Sequence, residues 1–161
     1  MRFMLTARRY SISLLTSFLL PSLTFAQAPA PAEVFGFEPG DDYKLASYDQ
    51  LLDYYRQLEA ASPRVVIQEI GSSVLGRPLL LLAISSAENL TQLDRWKEIS
   101  SDLAHARISE SEAREHAEEG KAIVWVDGGL HATEVAPSQM LPNLAYHLAT
   151  DESAETMRIR D

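Results

Sequence analysis

His131 and Glu134 stand three residues apart behind the pair Gly128-Gly129, in the run VDGGLHATE from Val126 to Glu134. An imidazole and a carboxylate at this spacing share a face where the chain turns helically. They then converge on one point, as two of the three protein ligands of a zinc site built from two histidines and a glutamate, whose fourth position is open to water. Zinc held in this way lowers the pKa of its bound water and polarises a carbonyl. The two glycines let the backbone turn sharply and leave space for a substrate. The plainer alternative is a strand-end histidine beside a glutamate that the helix dipole favours at a helix N-terminus. The residues by themselves leave both readings open.

The spacing alone says little, because His116 and Glu119 repeat it. That second pair sits in SEAREHAEEG with no strand and no glycine turn before it, and reads as a solvated helix face. Asp127 closes the preceding strand, either as an ordinary turn residue or as a group that orients a ligand. Arg77 follows Gly76 in a turn and reads as surface rather than as a substrate clamp. Trp96 and Trp125 read as core. Asn89-Leu90-Thr91 matches a glycosylation sequon that carries no meaning in a bacterial-type export context.

The elements that must position the pair follow from pattern. Ser47 with Gln50 looks like a capping box that starts an amphipathic helix over Tyr48–Ala60, with Leu51, Tyr54, Tyr55 and Leu58 at helical spacing. Val65–Ile70 is a β-branched strand stopped by Gly71, and Gly76-Arg77-Pro78 is a turn. Leu79–Ile84 is a short apolar strand, expected antiparallel to the first. Asn89–Ala106 reads as one helix, with Leu90, Leu93, Trp96, Ile99 and Leu103 on a face. Ser109 and Glu112 cap a helix over Glu110–Glu119, and Gly120 is its C-cap. Lys121–Asp127 (KAIVWVD) reads as the strongest strand of the chain. A last helix runs from about Val135 to Thr150. Pro142 inside it predicts a kink or a later start.

Composition bounds the rest. The chain has 161 residues with 46% apolar content, enough for one domain of ordinary size. Residues 1–26 hold Arg2, Arg8 and Arg9, no acid, and the apolar stretch SISLLTSFLLPSLTFA. They read as a signal peptide, too short and broken to span a bilayer, cut after Ala26. Ala26-Gln27-Ala28 offers a second cleavage choice. Export to the periplasm or the outside follows. Without the leader's three arginines the formal charge falls from −9 to −12. That excludes a general nucleic-acid binder and a polybasic membrane-surface protein. There is no cysteine, hence no disulfide, thiolate nucleophile or lipoprotein anchor. Any metal must be held by His and carboxylates. Gln27–Gly40 reads as a linker or N-terminal arm, with residues 27–42 set apart from the domain over 43–161. The interleaved strands and helices predict an α/β class with a mixed β-sheet flanked by helices.

Three segments in order, YDQLLDYYRQL (Tyr48–Leu58), IGSSVLGRPLLLLAIS (Ile70–Ser85) and VDGGLHATEVAPSQMLPNLAYHLA (Val126–Ala149), resemble the opening of the M14, carboxypeptidase A-like, zinc carboxypeptidases. The resemblance covers roughly residues 43–150. It implies a phosphorylase/hydrolase-like zinc peptidase fold, incomplete at the C-terminus. It implies Zn2+ as cofactor, a peptide as substrate, and His131 and Glu134 as the first two zinc ligands. A second histidine ligand, a glutamate general base and the basic residues that bind the substrate carboxylate are implied downstream of Asp161. His147 matches no family position. Thr133 replaces the arginine of the H-A-R-E form, so one contact to substrate is in doubt. The chain is therefore expected to be the N-terminal part of a longer enzyme, binding zinc weakly and inactive alone. A related zinc amide hydrolase, and a non-catalytic exported fragment with an open sheet edge, are the competing readings.

Overall fold

The computed structural model describes residues 27–161, so the leader and its cleavage lie outside the described residues. The element order is α1 (Pro31–Phe35), α2 (Tyr48–Ala61), β1 (Val65–Ser72), β2 (Pro78–Ile84), α3 (Ala87–Leu90), α4 (Leu93–His105), α5 (Glu110–Glu119), α6 (Val135–Thr150) and α7 (Ala154–Arg160).

The capping residues act where the sequence puts them. Ser47 accepts from the Gln50 N–H while the Gln50 side chain takes the Ser47 N–H at 2.9 Å, which starts α2. Ser109 and Glu112 do the same for α5. Gly120 ends α5 in an extended rather than left-handed conformation. It is small for a different reason: a Cβ there would stand 2.8 Å from the His116 carbonyl oxygen and 3.0 Å from Ile99 Cγ2 of α4. Arg95 ties the two helices together, with Nε and Nη2 donating to the Glu119 carboxylate at 2.8 and 2.5 Å.

β1 and β2 pair antiparallel from Val65↔Ile84 to Ser72↔Pro78, with a bulge between Glu69 and Gly71. The strand thus continues past Gly71, because the bulge absorbs the glycine instead of ending the ladder. This hairpin is the whole sheet among the described residues, so the expected mixed sheet is corrected to a two-stranded antiparallel one. Helices around this hairpin keep the α/β character.

Lys121–Asp127 is the largest departure. It forms no strand, and Ile123, Val124, Trp125 and Val126 are exposed, Val124 by 81%. Strand propensity records how well a side chain fits a pleated, half-buried surface, and no neighbouring strand among the described residues supplies that surface. Trp125 is accordingly not core; its indole Nε1 donates to Asp127 Oδ2 at 2.8 Å. Trp96 is half-buried and donates to the Asn89 carbonyl at 2.9 Å.

The core sits where α2 crosses α1, α6 and the hairpin. Tyr54 and Leu58 are fully buried there, among Phe35, Val65, Ala145 and Ala149. The N-terminal arm is part of this core rather than a linker. Phe35 of α1 packs its ring 5.4 Å from that of Tyr54, and Ala28 is buried. The predicted helix over Asn89–Ala106 divides into α3 and α4 at Thr91-Gln92, where Thr91 turns its hydroxyl to the Glu88 carbonyl at 2.7 Å. α6 starts at Val135 despite Pro142, which is buried and leaves the Ser138 carbonyl without its helical donor. α7 is an element that the sequence pattern does not announce. Ser153 caps it, and buried Arg160 turns back to donate to the carbonyls of Leu148 and Asp151 at the end of α6.

Candidate metal centre

His131 and Glu134 meet. The chain turns between them, closed by the Glu134 N–H donating to the His131 carbonyl at 3.0 Å. The Glu134 carboxylate folds back over that turn. Its Oε1 lies 2.6 Å from His131 Nδ1 and its Oε2 accepts the His131 N–H at 3.2 Å. The convergence comes from this tight turn just ahead of α6, not from a helical face, because Glu134 is the N-cap position of α6.

The glycines hold that turn against the helix. Gly129 has φ +78°, and a Cβ on it would stand 3.0 Å from the Glu134 carbonyl oxygen. A Cβ on Gly128 would meet the backbone of Pro137 at 3.1 Å. The pair therefore packs flat on the first turn of α6 instead of opening space for a substrate. Gln139, one turn further along α6, is a positioning residue that the sequence reading does not single out. It is buried, and its side-chain amide satisfies both backbone groups of buried Ala46: Oε1 takes the N–H at 2.8 Å and Nε2 donates to the C=O at 3.2 Å. This fixes α6, and with it Glu134, to the loop ahead of α2. A lone glutamine in an apolar helix face is the available signal.

Both side chains of the pair are accessible, His131 by 77% and Glu134 by 42%. The His131 ring, first, and the His131 N–H hold the Glu134 carboxyl below its ordinary value. A neutral imidazole nitrogen and a carboxylate oxygen are the donor types zinc takes. Two donors of a tetrahedral zinc stand roughly 3.3 Å apart, given metal–ligand bonds of about 2.0–2.1 Å. The 2.6 Å contact needs only a small opening, which the exposed side chains permit. The residues present fit part of a zinc site. A third His, Cys, Asp or Glu does not join them among the described residues.

The other candidates lie elsewhere. Asp127 bonds Trp125 and does not reach His131 as an orienting group. His116 is not fully solvated: its side chain is 16% exposed, with Nδ1 3.7 Å from Asp102 of α4, while Glu119 pairs with Arg95. His147 lies at the far end of α6, beside Thr156 Oγ1 at 3.3 Å and Asp151. Arg77 stacks over the Tyr48 ring at 5.1 Å, a turn-stabilising surface contact.

Comparison with curated proteins and with solved structures gave no match. The family profile described as zinc carboxypeptidase matches residues 51–161. That span runs from α2 through the hairpin and the His131–Glu134 turn to the end of α7, so the chain belongs to the M14 zinc carboxypeptidase family.

Proposed function

We propose that His131 and Glu134 are two of the zinc ligands of an exported metallocarboxypeptidase that hydrolyses C-terminal peptide bonds. The observation that carries this reading is the convergence of the two side chains across the turn before α6, exposed to solvent on the family's matched segment. Bound there, zinc supplies an activated water and polarises the scissile carbonyl.

The chain's own residues do the positioning. His131 offers a ring nitrogen, and Glu134 a carboxylate held in its ionised form by the neighbouring imidazole and backbone N–H. Gly128, Gly129 and Gln139 keep the turn and α6 in register. Among the described residues no third His, Cys, Asp or Glu joins the pair. Two donors alone make a weaker zinc site than the usual three protein ligands.

Zinc titration of the chain by calorimetry tests this. Binding is expected for the native chain, and His131→Ala and Glu134→Gln are each expected to weaken it at least about tenfold, or ~1.4 kcal/mol. Equal affinity in all three proteins rejects the pair as ligands. Peptidase turnover that survives His131→Ala likewise rejects the ligand role of that residue.

A further inference from the structure

We infer that the exported chain begins at Gln27 and that this residue cyclises to pyroglutamate. The sequence permits cleavage after Ala26 or after Ala28. The fold separates the two. Gln27 is exposed, whereas Ala28 is buried at 7% within the same core cluster as Phe35, Tyr54 and Ala149. The Pro29 carbonyl just behind it accepts the Tyr54 hydroxyl at 3.5 Å. A cut after Ala28 would remove a core residue and place a charged ammonium at that wall. A cut after Ala26 leaves a single residue, Gln27, outside the packed chain.

An N-terminal glutamine carries its own electrophile. The α-amine nitrogen attacks the side-chain Cδ, a C–N bond forms, the Cδ–Nε2 bond breaks, and ammonia leaves with the proton the amine gives up. No oxidant or co-reactant is needed. The setting leaves the N-terminal residue accessible. Gln27 lines an open groove together with Ala61, Ser62 and Arg64. Arg64 is already engaged there, donating to the Ala149 carbonyl at 3.2 Å and pairing with Glu152 at 2.7 Å. A blocked N-terminus also resists aminopeptidases outside the cell.

The test is mass spectrometry of the full chain expressed with its leader and recovered from the exported fraction. The readout is covalent, so it holds whatever the yield of folded protein. The expected N-terminal peptide starts at Gln27 and is lighter by one ammonia. It is refractory to stepwise degradation until a pyroglutamyl peptidase is added. Gln27→Ala is expected to be cut at the same bond and to keep a free amine. A start at Pro29, a retained leader, or a Gln27 amine that stays free on prolonged incubation overturns the proposal. None of these outcomes bears on zinc binding at His131 and Glu134.

Discussion

The His131 ring and the Glu134 carboxylate face each other at 2.6 Å across a turn whose own hydrogen bond, Glu134 N–H to His131 carbonyl, spans 3.0 Å. The fold itself gathers the two side chains. Their hydrogen bond holds the Glu134 carboxyl below its ordinary value and keeps it close, and in the proposed reading it is the interaction a metal would displace. Gathering the donors in advance lowers the ordering cost of binding.

Gly129→Ala should loosen that gathering without unfolding the chain. The residue sits at φ +78°, where an L side chain costs roughly 1–2 kcal/mol. The added Cβ also presses on the Glu134 carbonyl oxygen from 3.0 Å. The turn must shift and carry Glu134 with it. Zinc affinity is expected to drop several-fold in calorimetry while the far-UV spectrum stays native. An unchanged affinity would show that the turn's geometry does not set the site.

Gln139→Leu tests the anchor of α6. The substitution keeps the bulk but strips Ala46 of partners for both its N–H and its C=O, in a buried position. Leaving a buried polar backbone group unpaired costs about 1–3 kcal/mol. Thermal or denaturant unfolding should register a loss in that range. A neutral result would mean that water reaches Ala46.

The Ser47–Gln50 and Ser109–Glu112 caps, the hairpin and the span of α6 are legible in the sequence because each is set by residues within a few positions of one another. The His131–Glu134 pair is legible for the same reason, although its spacing suggests a helical face where the structure has a turn. What escapes depends on distant partners. Phe35 looks like linker until Tyr54 is set against it, and Gln139 looks like an ordinary helix polar residue until Ala46 is found 93 positions earlier. Lys121–Asp127 fails in the opposite sense: its composition is that of a strand, but pairing is not a property of the segment.

Asp151 should give the α6–α7 junction an acid-sensitive contribution to stability. Its carboxylate accepts from the Ser153 hydroxyl and N–H and from Thr156 Oγ1 at 2.6 Å, with His147 at 3.8 Å. The two hydroxyls, Ser153 first, lower its pKa from 3.8 to about 2. A depressed carboxylate stabilises the fold fully above the unfolded value and loses that contribution as pH falls through the folded one. Native chain and Asp151→Asn should therefore differ in melting temperature above pH 3.8 and converge as pH approaches about 2. A gap that persists unchanged at the acid end would assign the effect to shape rather than charge.

Val124→Lys addresses the unpaired segment. Val124 is 81% exposed, and its neighbours Ile123, Trp125 and Val126 are exposed by 63, 64 and 54%. A side chain that gains no burial on folding contributes little, so a charge there should change stability by no more than about 0.5 kcal/mol. The same four residues form an exposed apolar run with strand composition, which favours edge-to-edge association. The lysine should therefore leave the unfolding midpoint in place and reduce self-association at high concentration, read by sedimentation. A loss of several kcal/mol would instead mean that this segment is packed in the folded chain, paired against a surface that covers Val124.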